Sequence, residues 1–439
     1  MGAKVGQAKT KRGRMAVPLP FMEFFQREAA SGVILLGAAL AALAWANSPW
    51  SESYAKAFSW KISVGAGPFF LSKTLLLWIN DGLMALFFFV VGLEIKREIL
   101  VGELSTPRQA LLPIAGALGG MAVPSVLYAL INGGGAGAAG WGIPMATDIA
   151  FALGVLALLG DRVPPGLKVF LAALAIVDDL GAVLVIAFFY SEGIRTTYLG
   201  AGVGVLAGLV FLARLGMRSL GLYALAGVAV WVFFLKSGVH PTVAGVLVAM
   251  TIPARVAVEA PSFLERARSY LGEFASETSK GRLLTPAQHE ALLGLTEAAQ
   301  GASAPLQRLE HALHPWVTLG IMPLFALANA GVSLEAGGGG GLWGTVTAGA
   351  AAGLLLGKPL GILAGAYLVV RTGLSPMPDG AGWRTFAGVG CLAGIGFTMA
   401  LFIAGLAFGD GGLLAQAKVG ILGASVLSGL AGYLILRRG

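Results

Sequence analysis

The sequence predicts an all-α polytopic membrane protein with about twelve transmembrane helices, and three observations carry that reading. Of its 439 residues, 56% are hydrophobic and only 12% are charged, with a mean hydropathy of +0.81. A soluble domain averages about 25% charged residues and about 7% glycine, and this chain has 66 glycines. Halved charge with doubled glycine leaves too little polar surface to coat a water-soluble globule. Apolar stretches near 20 residues also recur along most of the chain, each able to cross the bilayer as a helix. Two or three large soluble domains would not produce that recurrence.

The spans fall near 29–47, 74–100, 108–131, 136–159, 167–190, 197–215, 220–235, 239–253, 313–330, 342–370, 384–408 and 413–436. Residues 1–28 form a basic tail, 29–254 carry spans one to eight, 255–304 form a long loop, and 305–439 carry spans nine to twelve. The tail holds Lys4, Lys9, Lys11, Arg12 and Arg14, and the first apolar run ends in Ala44-Trp45-Ala46, which imitates a cleavable signal peptide. Arg27 and Glu28 separate the two, and removing the run would spoil the topology, so it stands as the first helix.

Orientation follows from lysine and arginine in short loops. The even-numbered connections hold Lys96, Arg97 and Arg108; Arg162 and Lys168; Arg214 and Arg218; Arg371 and Arg384. The chain closes with Arg437 and Arg438. Connections 132–135 and 332–341 have no positive residue, and 409–412 carries only Asp410. Lys61, Lys73, Arg195 and Lys236 are exceptions. Both termini are therefore expected in the cytoplasm. The net charge of +8 is spread over span ends, which argues for the lipid bilayer as partner and against nucleic acid. Cys391 is the only cysteine, so no intramolecular disulfide can form.

Two segments do not read as spans. Residues 60–73 place β-branched and aromatic residues around Gly65-Ala66-Gly67-Pro68, the pattern of a small external β-hairpin. A two-stranded ribbon is marginal alone, so it calls for a partner such as another protomer. The loop 255–304 has short helical patches and near-balanced charge, and reads as a solvated cytoplasmic connection.

A charge at mid-membrane costs roughly 2.5–3.5 kcal/mol on insertion scales, so each marks a functional site by default. Asp148, Asp178, Asp179 and Lys358 stand at or near the middle of a span. Asp81 lies about a turn and a half into its span. Glu94 lies near the cytoplasmic end of the same span. Asp178 and Asp179 are neighbours, so on a helix they point about 100° apart and cannot face one point. One is free to face a solvent-filled cavity while the other meets a partner on another helix.

Two spans are interrupted. The fourth breaks in Gly142-Ile143-Pro144-Met145-Ala146-Thr147-Asp148, and the eleventh at Gly394-Ile395-Gly396-Phe397-Thr398. Freed backbone is tolerated in lipid only beside protein or a water-lined cavity. The breaks lie seven spans apart, so these spans run in opposite directions, the mark of inverted repeats with a midplane site. Spans 3–5 pair with spans 10–12 in this reading, and the two interrupted helices cross at mid-membrane. An acidic residue would compensate the positive half-helix ends there and a basic one the negative ends. Asp148 suits the first role. Lys358 suits the second, or else pairs with Asp178, and the sequence leaves both open.

These residues resemble a known family. Residues 146–154 (ATDIAFALG), 175–181 (AIVDDLG), 357–362 (GKPLGI) and 394–399 (GIGFTM) are similar to motifs of the NhaA family of bacterial sodium/proton antiporters. So are 80–84 (NDGLM), 92–98 (GLEIKRE), 236–240 (KSGVH) and 311–316 (HALHPW). The resemblance implies twelve helices in the bacterial inner membrane and homodimers joined partly through the external hairpin. It implies exchange of cytoplasmic Na⁺ (or Li⁺) for external H⁺, serving pH and sodium homeostasis, with no cofactor. By matching motif, Asp179 would bind the cation and exchange protons, with Asp178 beside it, paired with Lys358. Thr147 and Asp148 would line the crossing with Gly394 and Gly396, and Na⁺ at Asp179 would also reach Asp178 and Thr147. Regulation or access would fall to Asp81, Glu94, Glu98, His240 and the stretch before the ninth helix. That stretch departs from the family pattern: its loop is longer, and Gln307-Arg308-Leu309-Glu310 has Gln where Lys is familiar.

Other functions fit less well. An intramembrane aspartyl protease needs two facing carboxylates, which adjacent residues on one helix do not supply. A carrier of organic solutes would want aromatic or amide groups at the breaks, where the residues are small and aliphatic. A channel would not need carboxylates that exchange protons for cations. His311 and His314 have no cysteine or third ligand nearby, and read as a solvated helix face rather than a metal site.

Overall fold

Helices dominate because lipid offers no partner for backbone N–H and C=O groups. The computed structural model describes residues 19–65, 70–191, 193–276, 283–333 and 343–438, without the side chains of 19–29 and of Asp161. Most of the basic tail, the hairpin tip at 66–69 and most of the connection 332–341 lie outside the described residues.

The first helix, α1 (Leu19–Ala46), begins ten residues before the expected span. A short polar helix, α2 (Ser51–Ser59), follows at 114° to it. Strands β1 (Lys61–Val64) and β2 (Leu71–Thr74) pair antiparallel, Lys61 opposite Thr74 and Val64 opposite Leu71. Then come α3 (Leu75–Val101) and α4 (Pro107–Asn132). A 3₁₀ segment, Ala136–Met145, leads into α5 (Ile149–Leu159). Beyond them lie α6 (Pro165–Phe189), α7 (Thr196–Arg214), α8 (Leu220–Ser237) and α9 (Pro241–Thr251). After the pair α10 (Ala260–Ser276) and α11 (Pro286–Ala302) run α12 (Pro305–Asn329) and α13 (Thr345–Arg371). The chain ends with α14 (Trp383–Ala393), α15 (Phe397–Phe408) and α16 (Gly412–Arg437).

By length and composition, eight of the described helices suffice to cross a membrane, or up to eleven if each bent pair is one span. The chain is a multi-pass membrane protein. The expected eighth span is only the 11-residue α9, about 16 Å long and half the thickness of the hydrocarbon layer. Its Pro241 start and the extended Ile252 at its end keep it short.

The loop 255–304 differs from expectation. Short patches become two 17-residue helices packed on each other. Phe263, Ala267, Tyr270 and Phe274 share one face of α10, and Thr285 with Gln288 forms a capping box that starts α11. Interleaved charges hid that periodicity. The expected ninth span likewise starts eight residues early, at Pro305, in the first turn where proline is welcome.

Burial ranks the helices. Of the most apolar window, 61% is buried in α6 but only 11% in α7, so α6 is central and α7 peripheral. Helices α4 and α13 approach closely: a Cβ on Gly119 would stand 2.1 Å from the Gly361 carbonyl. Only glycine admits that contact.

Candidate functional site

Both interrupted spans are bent, by 42° at Ala146–Asp148 and by 44° at Gly394–Gly396. Pro144 and the extended residues after it end the first half, while the glycine pair loosens the second. The two breaks touch, and the Asp148 N–H donates to the Ile395 carbonyl at 2.7 Å.

Freed half-helix ends must find partners. Asp148, 1% exposed, serves two positive ends at once. Its Oδ1 accepts from the Phe151 N–H (3.0 Å) at the start of α5. Its Oδ2 accepts from the Thr398 N–H (3.2 Å) and hydroxyl (2.5 Å) at the start of α15. Ser425 on α16 accepts from the Phe397 N–H at 3.1 Å. The negative ends are met by donors: Lys358 Nζ donates to the Met145 carbonyl, and the Thr147 hydroxyl lies 2.9 Å from the Ala393 carbonyl.

Lys358 also reaches Asp178 Oδ2 at 2.6 Å, with both side chains fully buried. The two roles left open by the sequence are thus filled by one ammonium group. Thr147 stands 2.7 Å from the same Asp178 oxygen.

Asp179 points elsewhere. It lines a narrow cavity of ≈ 50 Å³ with Thr147, Asp148, Met399, Glu94 and His314. Its Oδ1 is buried with no hydrogen-bond partner among the described residues, and so is Oδ1 of Asp178. No group of three His, Cys, Asp or Glu side chains that could hold a metal ion occurs among the described residues. A bound cation would depend on single carboxylate oxygens, hydroxyls and carbonyls.

The expected regulatory residues do not form one group. Asp81 is paired with Lys73 on β2, with His240 Nε2 3.6 Å away, at the hairpin end. Glu94 meets His314 Nε2 at 3.8 Å at the opposite end, where Arg97 joins Glu98 (2.9 Å) and Glu310 (2.6 Å). Asp81 and Glu94 are thirteen residues apart on α3, about 20 Å of helix, which separates His240 from Glu94 and Glu98. Thr398 and Ser425 were missed in the sequence. A buried hydroxyl at a break, or inside an apolar span, was the available signal.

The family pattern described as "Na+/H+ antiporter 1" matches residues 22–436. The chain belongs to that family. It is 54% identical over 421 residues to "Na(+)/H(+) antiporter NhaA" of Oleidesulfovibrio alaskensis, which covers 95% of this chain and 93% of that protein. It is 50% identical to "Na(+)/H(+) antiporter NhaA 2" of Syntrophotalea carbinolica, covering 95% and 96%, and to "Na(+)/H(+) antiporter NhaA" of an Anaeromyxobacter species, covering 96% and 92%. In this Na⁺/H⁺ antiporter family member, the diverging Asp178 and Asp179 do not form the facing dyad of an aspartyl protease.

Proposed function

We propose that this protein exchanges cytoplasmic Na⁺ (or Li⁺) for external H⁺ by alternating access in a bacterial inner membrane. The observation that carries the reading is Asp179: a carboxylate within the membrane region, facing a cavity, with one oxygen unpaired. A carboxylate group there has one place for either a proton or a cation. Na⁺ would sit at Asp179, with Thr147 and the unpaired Asp178 oxygen as further ligands.

Lys358 and Asp178 form the second element. The single Thr147 hydrogen faces two acceptors, Asp178 Oδ2 and the Ala393 carbonyl. A proton on Asp178 would donate to Thr147 and leave the Thr147 hydrogen for Ala393. That count supports the pair as a second proton carrier, and hence electrogenic exchange. Asp148, Thr398, Gly394 and Gly396 serve the crossing, and the clusters at Asp81–His240 and Glu94–Glu98 stand at its two approaches. No cofactor enters the cycle.

Twelve crossings would comprise the eight long helices, α1, the two interrupted spans and α9, with spans 3–5 and 10–12 as inverted repeats. The hairpin is then external and both termini are cytoplasmic. Ile62 and Val64, exposed on β1, suit a homodimer joined there. The test is purified protein in tight liposomes. Na⁺ or Li⁺, but not K⁺, should release stored protons, and at equal pH the Na⁺ flux should follow a valinomycin-clamped potential. Absence of Na⁺-driven proton movement overturns the exchange; flux indifferent to potential leaves exchange with one proton and removes the second carrier.

A further inference from the structure

Lys418 is a half-buried lysine on α16 that neither the ion site nor the two outer clusters use. It lies six residues into α16, about 9 Å along the helix from the hairpin end. Its Nζ donates to the Gly331 carbonyl at 3.1 Å. That carbonyl is just past the C-terminus of α12, where backbone oxygens have lost their helical partners and the helix dipole favours a cation.

The neighbouring oxygens are held from elsewhere. The Tyr54 phenol on α2 lies within 2.9 and 3.0 Å of the Leu327 and Ala328 carbonyls, and Asn47 donates to the Val332 carbonyl at 2.8 Å. Asn329 exchanges amide hydrogen bonds with Asn80 on α3. Those contacts tie α12 to α1–α3. Lys418 ties it to the other side, because α16 packs on α13, α14 and α15 and accepts from Thr347 of α13 at the Gln416 carbonyl. Phe402 of α15 packs against Phe88 of α3 and Phe325 of α12, at 5.9 and 6.0 Å between ring centres. The opposite half of α12 lines the cavity through His314, Val317 and Thr318, and contains a wide π turn at Val317–Ile321. One helix is thus clamped at the hairpin end and forms the cavity wall beyond.

We propose that Lys418 is a positioning residue for ion exchange: its bond to Gly331 holds the hairpin end shut while the cavity is open toward Glu94, and it is broken when the cavity opens the other way. The inference rests on alternating access as proposed above. A ligand's apparent affinity from one side scales with the fraction of molecules open to that side. If the shut form leads by about ten to one, a tenfold loss of that preference raises the cytoplasmic KM for Na⁺ about twofold and lowers the external KM about fivefold.

The experiment uses oriented liposomes and measures the Na⁺ KM from each side for the wild type, Lys418→Met and Lys418→Arg. Opposite shifts in Lys418→Met, largely reversed by Lys418→Arg, are expected. Equal shifts on both sides, a change in maximal rate alone, or no change would overturn the role. Should Lys418→Met fail to accumulate, Lys418→Gln, which keeps polarity but loses charge and reach, is judged by the same criteria. A wild type without Na⁺-driven proton movement would instead sink the exchange reading itself, so the two failures are distinct.

Discussion

Asp178 and Asp179 share a helix, a residue type and a depth, yet their surroundings are opposite. Asp178 is bound by Lys358 and Thr147 in a fully buried knot; Asp179 is turned about 100° away onto a cavity that reaches Glu94 and His314. The difference teaches that side-chain direction assigns the roles. The partnered carboxylate is tied to the first break through Thr147 and to α13 through Lys358, and the unpartnered one lines the cavity.

The largest way to break this comparison is Asp179→Asn. It should keep the protein in the membrane and reduce Na⁺-driven proton release by at least about 100-fold, the scale of losing one charged ligand in a desolvated site. Normal exchange by the folded variant would move the cation elsewhere. Lys358→Met attacks the other carboxylate. Removing one partner of a buried ion pair costs about 3–5 kcal/mol, so thermal unfolding in detergent should occur well below the wild-type temperature. The double variant Lys358→Met with Asp178→Asn should recover much of that loss, because no uncompensated charge is left. If the single variant is as stable as the wild type, the pair does not hold the crossing.

Competition at Asp179 gives a smaller effect. Where the carboxyl is mostly protonated, each unit of falling pH should weaken Na⁺ binding by about tenfold, by mass action of one proton. Calorimetric titrations across the pH range check it, and a flat affinity would contradict a shared site. Asp148→Asn is the mildest. The amide keeps an acceptor oxygen for only one of the two half-helix ends, turns its NH2 toward the donors at the other, and brings no charge to either. A few-fold rise in KM with little change in maximal rate is expected, read in the same proton-release assay.

Much of the site was legible because burying charge in lipid is costly, so Asp148, Asp178, Asp179 and Lys358 stood out against apolar neighbours. The breaks were legible from Gly142, Pro144, Gly394 and Gly396. Directions were not: nothing in the order of residues says that Lys358 serves both Asp178 and the Met145 carbonyl, which depends on how α13 lies against the first break. The helices α10 and α11 were hidden because their stability comes from mutual packing and a cap rather than a long apolar run. Thr398 and Ser425 escaped because a hydroxyl is inexpensive to bury once bonded, so neither announces itself as a charge does.

The wide turn at Gly353–Gly357 ends immediately before Lys358. Such a turn accommodates one residue more than a regular helix would, and that surplus residue amounts to about 100° of angular phase. Wound as an uninterrupted α-helix from the same start, α13 would carry Lys358 round by that angle, away from Asp178 and the first break. The surplus residue therefore acts as a spacer in the helical count, reconciling the face that packs on α16 with the face that delivers the ammonium group. Helix α13 can be read as two segments with separate reading frames, and the ion pair belongs to the second.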